Sequence, residues 1–434
     1  MQIAIRGKVI QVLLVTVESA IFLVLTAWVG KAYVADVLGS QPTANNLERA
    51  LKLDPNNAEY HLRLGRVYEY SPPDLQLEKA EYHLRRATQL NPYDPQTWLE
   101  LSAALEFQGR IAEAGTCLRR VDLLAPNLPA YQWTIANFYL WQGNVDEAFR
   151  HFRVVLAGTP IYDNNVFSLA WKATDDAQKI LQQVIPEQTP TEIRYLNFLV
   201  SAHRLNEAQA VWKRIISGPE AFPPGQSSLY IDSLISARQA DEACQVWTDL
   251  QKKGLIRYSS WPSEKNLLSD GGFEDELLNM GFDWRIDGVE GIYAGLDTST
   301  YHSPSHALLV QFSGTQNVYY HNVYQYVRVS PGQSYRLQAF MKTKSITTDS
   351  GPRLEVHDAY NPSALNRLTD DLTGTSDGWT PLLLDFTTGP KTALIVVGLV
   401  RLPSKKLDNL ISGEVWLDDV QLTSLRNEVP PVKR

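Results

Sequence analysis

Four prolines set the frame of the chain. Pro55, Pro92, Pro126 and Pro160 close the similar phrases LKLDP, TQLNP, DLLAP and LAGTP, at intervals of 37, 34 and 34 residues. Removing the three-residue turn insertion Ser71, Pro72 and Pro73 makes every interval 34. A fixed period of this size belongs to stacked helical hairpins, which cannot bury their apolar faces singly and so pack on their neighbours. Ala80, Ala114 and Ala148 keep the same beat. Small side chains at those places let the two helices of one hairpin touch closely.

The registered positions carry a family likeness. In the first full repeat Leu64, Gly65 and Tyr68 are followed by Ala80, Ala87 and Pro92; in the third, Ile135, Ala136, Tyr139, Gly143, Ala148, Phe152 and Pro160 match in register. The segment 45–258 thus resembles tetratricopeptide (TPR) repeat proteins, with about six helix pairs. After Pro160 the register weakens: DDAQKILQQVI is a shortened copy, and NEAQAVWKRII and DEACQVWTDL return as second helices. The resemblance implies a concave groove that holds partner proteins or peptides. His61, Arg63, Trp98, Gln132 and Asn137 are its candidate residues, with packing as the alternative role, since His61 stands where the family often has Trp.

Ahead of the repeats, Val9 to Val29 runs 21 residues with one charge, close to the ~20 that cross a bilayer as a helix. Arg6 and Lys8 precede it, while Lys31 and Asp36 follow. The positive-inside rule therefore predicts a cytoplasmic tail over 1–8, an anchor over 9–29, a linker over 30–44, and the bulk of a single-pass protein in the periplasm or outside the cell. The rival reading is a cleaved signal peptide ending at Gly30 or Ala32, although an h-region is shorter, ~7 to 15 residues. Glu18 near mid-membrane is either bonded to a partner helix or tolerated by an otherwise apolar anchor.

Beyond a linker at 259–265 the helical period gives way to strand alternation bounded by Gly, Pro, Asn and Asp. SHALLVQF, VYQYVRV, SYRLQAFMKT, RLEVHD, WTPLLLDFTT, TALIVVGLV and GEVWLDDVQL read as strands, with NLL as an eighth. The expectation is an antiparallel β-sandwich over 266–424, followed by a tail at 425–434. NLLSDGGFE, VRVSPGQSYRLQAFMKT, WTPLLLDFTT and VWLDDVQL together resemble the galactose-binding-like jelly roll of carbohydrate-binding modules, especially the family 4/9 type. The predicted fold class is therefore multidomain: a transmembrane helix, an all-α TPR-like solenoid and an all-β jelly-roll sandwich.

Strand parity assigns faces. Val323, Val327 and Val329 share a core side, which predicts Tyr320, Tyr324 and Tyr326 outside. Likewise Gln338 and Phe340 are outward on the next strand, and Glu355 and His357 on the one after. Aromatic rings beside planar polar groups suit a sugar, whose C–H face stacks while its hydroxyls pair. These seven residues are the candidate carbohydrate contacts; the alternative is a second small core beneath a loop. Trp284, Trp379 and Trp416 are assigned to the core. The likeness to carbohydrate-binding modules also implies a structural Ca²⁺ ion, with Glu274, Asp418 and Asp419 at the matching places and hydrogen bonding to a turn as the alternative.

Other classes are disfavoured. With 40 basic and 48 acidic residues, net charge -8, the chain offers no basic face for nucleic acid. Its two cysteines, Cys117 and Cys244, are too few for a disulfide framework and read as buried side chains. No GxSxG, HExxH, P-loop or GxGxxG motif is present. Asp370 and Asp371, being adjacent, point apart and do not make a glycosidase pair. No catalytic residue is assigned. The reading is a non-enzymatic envelope scaffold that holds partner proteins near a polysaccharide during its synthesis, export or attachment. A hidden glycoside hydrolase or transferase and a purely structural protein-binding spacer are the alternatives.

Overall fold

The structure, a computed structural model, describes residues 8–256, 263 and 266–425. Arg6, the 259–265 linker apart from Ser263, and the tail beyond Leu425 lie outside the described residues. The chain divides into two compact units, Met1–Pro186 and Glu187–Arg434.

In the first unit, α1 (Lys8–Gly39) runs unbroken past the apolar span, and α2 (Ala44–Leu53) follows after the turn at 40–43. The stretch expected as a linker is therefore helical as far as Gly39. Ala35 is buried and Leu38 half-buried against Leu47, Ala50 and Tyr60, so the end of α1 belongs to the first core. Three hairpins follow: α3 (Ala58–Tyr70) with α4 (Leu77–Leu90), α5 (Pro95–Phe107) with α6 (Ile111–Leu124), and α7 (Pro129–Trp141) with α8 (Val145–Gly158). Asn57 and Asp94, in matching positions, cap α3 and α5 by accepting from backbone N–H groups of the first turn. Ala80, Ala114 and Ala148 are fully buried. Gly65 lies where an added Cβ would stand 2.7 Å from Leu84 Cγ, which is the close helix approach that the repeat demands. The shorter α9 (Asp163–Ala173) and α10 (Ala177–Gln183) end the unit.

In the second unit, α11 (Thr189–Ser201) pairs with α12 (Leu205–Ser217), and α13 (Ser228–Ser236) with α14 (Ala240–Lys252). Here the repeat is faint in sequence yet keeps its turn. Gly109 and Gly143 take positive φ of 74° and 73° after α5 and α7, and His203 (58°) and Arg238 (63°) do so after α11 and α13. In all four turns the next N–H reaches back five residues: Arg110 to Leu105, Asn144 to Tyr139, Arg204 to Leu199 and Gln239 to Leu234, at 2.8–2.9 Å.

The sandwich has ten strands among the described residues. One sheet orders β1 (Arg285–Ile286), β4 (Tyr320–Arg328), β9 (Leu394–Arg401), β6 (Pro352–Asp358) and β7 (Asn366–Leu368) as β1-β4-β9-β6-β7. The other orders β2 (Ile292–Asp297), β3 (Ala307–Ser313), β10 (Ser412–Ser424), β5 (Ser334–Lys344) and β8 (Thr380–Thr387) as β2-β3-β10-β5-β8. The strand pairs are antiparallel, and the apolar faces meet in one core that includes Trp284, Val323, Val327, Leu337, Met341, Val397 and Leu417. Helices α13 and α14 pack against this sandwich: Trp247 meets Phe282 at 6.2 Å, Asp232 pairs with Arg285 at 2.5 Å, and Asp241 with Arg328 at 2.5 Å.

Candidate functional site

The outer face of the β1-β4-β9-β6-β7 sheet carries an open cleft of about 410 Å³. Its floor follows from register. Tyr324 of β4 lies beside Gly398 of β9, and Gly398 beside Glu355 of β6; one row along, Tyr326 lies beside Val396 and Val396 beside His357. Cross-strand neighbours on one face stand side by side, so parity brings two phenol rings, a carboxylate and an imidazole together. Gly398 keeps the middle of the floor low, where an added Cβ would stand 2.8 Å from the Val323 carbonyl oxygen.

The cleft is internally braced. The Tyr324 and Tyr326 rings meet edge-on with centroids 5.7 Å apart. Burial pushes both phenols above their ordinary pKa. Asn366 of β7 donates its Nδ2 to one Glu355 oxygen at 3.1 Å, and His357 lies 3.6 Å from the other. His357 beside it holds Glu355 below the ordinary carboxylate range. Asp287, Tyr319, His321, Pro362 and Leu399 complete the lining, with Tyr319 stacked on His321 at 4.7 Å. Half-buried rings beside planar hydrogen-bonding groups, on an open surface, can hold a polyhydroxylated ring by stacking and pairing.

Four of the seven residues expected in the sugar site, Tyr324, Tyr326, Glu355 and His357, share this cleft. Three do not. Tyr320 was expected outward but is 1% exposed and packs edge-on against Phe312 at 5.5 Å. The reason is a β-bulge between Tyr320 and Val323, which inserts one residue and reverses parity, turning His321 outward in its place. Gln338 and Phe340 face outward from β5, which belongs to the other sheet, so they stand on the opposite side of the sandwich. Phe340 lies beneath a loop, with the His302 ring stacked on it at 3.8 Å and Trp379 edge-on to that ring at 5.6 Å.

The expected calcium ligands converge on the same loop, as hydrogen-bond acceptors. Glu274 accepts from the Ser305 and His306 N–H groups, and Asp418 from those of His302 and Ser303 at 2.7 and 3.0 Å. Asp419 contacts the His302 ring at 2.5 Å and Ser303 Oγ at 2.6 Å. Among the described residues no three His, Cys, Asp or Glu side chains could hold one ion. The three carboxylates are thus held by hydrogen bonds to the 302–306 loop. A second bulge between Asp418 and Gln421 also moves Trp416 off the inter-sheet core: it is buried on the outer face, where its Nε1 donates to Asp297 at 2.6 Å.

In the repeats, the expected groove residues make hydrogen bonds within the repeats, and two of the five are buried. His61, Trp98 and Gln132 occupy one register position, and each side chain meets a backbone carbonyl just past the end of the preceding helix: Pro55 at 3.1 Å, Pro92 at 3.1 Å and Ala125 at 3.2 Å. Gln132 is fully buried and His61 is 6% exposed, so neither presents a contact surface. Arg63 pairs with Glu59 at 2.6 Å and donates to the Gly39 carbonyl at 3.1 Å, while Asn137 donates to Trp133 O at 2.7 Å. Exposed aromatics of the repeats include Tyr70, Phe107 and Trp141. They end α3, α5 and α7 in identical register, a pattern legible in LGRVYEY, LSAALEF and IANFYLW.

The fold and site define a class: a TPR-like helical-repeat protein that carries a β-sandwich with an open, aromatic-floored cleft. No protein-family model matches the chain. Among solved structures it is similar to the MamA protein at 14% identity and TM-score 0.31, over 44% of this chain and 97% of that one. It is also similar to Pseudomonas aeruginosa pilF at 15% identity and TM-score 0.27, over 51% and 93%. A family 16 carbohydrate-binding module matches at 18% identity and TM-score 0.26, over 36% and 99%.

Proposed function

We propose that this chain is a non-catalytic scaffold, anchored in a membrane by α1, that binds a glycan in the Tyr324–Tyr326 cleft and partner proteins along its repeats. An envelope polysaccharide under synthesis, export or attachment is the setting that joins those parts. The observation that carries the reading is the register row that sets Tyr324 and Tyr326 beside Glu355 and His357 across a floor lowered by Gly398. The exposed series Tyr70, Phe107 and Trp141 supports a protein-binding repeat surface, because aromatic side chains are favoured anchors at interfaces. A non-catalytic role is supported by Glu355, whose lowered pKa is the wrong direction for a general acid. Asp371 is engaged by the Gly351 N–H at 2.7 Å and by Arg353 at 3.1 Å.

A glycan array probed with the full chain in detergent tests the proposal. Binding to a polysaccharide, weakened in Tyr324→Ala by about 1–3 kcal/mol on the scale of ring stacking with the melting temperature unchanged, supports it. Loss of folding in that variant, or turnover of a bound glycan, overturns the site or its non-catalytic character.

A further inference from the structure

The charges around the tyrosine cleft are unequal. Asp287 and Glu355 line it with carboxyl groups, and among the described residues no lysine or arginine does. The guanidiniums nearby are engaged with acids of their own: Arg285, against the Tyr326 ring, with Asp232 at 2.5 Å, and Arg353 of β6 with Asp371 at 3.1 Å. Register sets Arg367 of β7 beside Val356, on the core-facing parity. His321 and His357 can turn cationic but carry no fixed charge. Glu355 is held below the ordinary carboxylate range and is therefore ionised at neutral pH. Asn366 donates to one of its oxygens at 3.1 Å, and His357 lies 3.6 Å from the other. An ionised carboxylate offers about four acceptor positions, so capacity for a ligand remains.

The two carboxyls flank the rings. Asp287 follows β1, its N–H donating to the Asn322 carbonyl at 2.8 Å, and it shares the parity of Arg285, which lies opposite Tyr324. Glu355 is three strands away across β4 and β9, about 14 Å at the backbone. Tyr324 and Tyr326 stand between. A uronic acid or sulfated sugar would bring like charge to both ends, which costs affinity. A sugar ammonium brings the opposite charge and three donors, where a hydroxyl brings one. A chain that repeats this group from ring to ring can meet both ends, whereas a single charge meets one.

We propose that the glycan of this cleft is a polymer of amino sugars with free ammonium groups, which pair with Glu355 and Asp287 while the sugar rings stack on Tyr324 and Tyr326. The assignment rests on the glycan reading of the cleft and narrows it to one chemical class. Calorimetric titration of the full chain in detergent tests it, with hexamers of β-1,4-glucosamine and α-1,4-galactosamine against their N-acetylated counterparts. Acetylation removes the charge and keeps the ring. At least one free-amine chain should bind about tenfold or more tightly than its acetylated form, the factor of one charge-assisted hydrogen bond. Glu355→Gln should lower that ratio severalfold, and so should Asp287→Asn, a change at an exposed position. Tighter or equal binding of the acetylated chains, a ratio indifferent to both substitutions, or equally tight binding of hexalysine overturns the proposal. Failure of both amine chains to bind overturns it too: another glycan still held on the array and lost in Y324A then leaves the glycan reading standing, and a blank array removes both.

Discussion

The guanidinium of Arg285 lies 5.2 Å from the centre of the Tyr326 ring, and Asp232 of α13 holds the same guanidinium at 2.5 Å. The helical hairpin before the sandwich thus braces one of the two rings in the cleft. Arg285 is largely buried, so removing its partner leaves a charge without compensation and frees the ring. Asp232→Ala should weaken glycan binding several-fold without altering any cleft-lining residue. Titration of a bound polysaccharide by calorimetry checks this, and an unchanged affinity separates the hairpin from the site.

Glu69 predicts a pH dependence in the repeats. Burial pushes its carboxyl from 4.5 up to about 7. The folded chain then holds the proton more tightly than the unfolded one, so ionisation opposes folding. The penalty is absent below pH 4.5, grows through the window to pH 7 and is complete above it. Glu69→Gln should raise stability at pH 8 by up to about 3 kcal/mol and change it little at pH 4. His83 and His151, pulled down to about 4 by burial, titrate with the opposite sign in both proteins and cancel from the difference. Thermal unfolding of the pair at pH 4, 6 and 8 reads the effect.

Arg401 is fully buried and donates only to neutral acceptors: Asn317 Oδ1 and Val318 O at 2.7 Å, Ser350 O at 3.1 Å, Asn409 O at 3.2 Å and Thr348 Oγ1 at 3.4 Å. It ties together loops far apart in sequence. Arg401→Met should cost about 3–5 kcal/mol, because the orphaned acceptors stay buried. Chemical denaturation measures the loss, and a cost under about 1 kcal/mol would show that the acceptors find water instead.

Calcium should leave the sandwich unmoved. Glu274, Asp418 and Asp419 already accept from the loop that carries His302 and His306. Excess calcium and excess chelator should therefore give superimposable melting curves for the metal-free full chain. A rise of several degrees with calcium alone would establish an ion site by mass action.

Gly65→Val tests the repeat packing. Its Cβ would meet Leu84 at 2.7 Å and the Ala80 carbonyl at 3.4 Å. Overpacking there should cost about 1–3 kcal/mol, read as a lower melting temperature of the first unit with the cleft unaffected.

The order of parts was legible in the linear chain because each rests on a local period. Thirty-four residues separate Ala80, Ala114 and Ala148 whatever surrounds them, the apolar run of α1 is continuous, and strand alternation marks the sandwich. Local chemistry also placed Tyr324, Tyr326, Glu355 and His357 on outward parity. What only the tertiary structure decided is which outward residues meet. Parity gives a side within one strand but not the sheet to which the strand belongs, so Phe340 went to the far face under His302. Nor does it survive a bulge, which reversed Tyr320 and Trp416 by adding one unpaired residue. Gly398 acquired its meaning from pairing with Tyr324 and Glu355 at once. The same holds for His61, Trp98 and Gln132, whose shared register was visible but whose partners, carbonyls in the turns after the preceding helices, meet them only after the chain has turned back on itself.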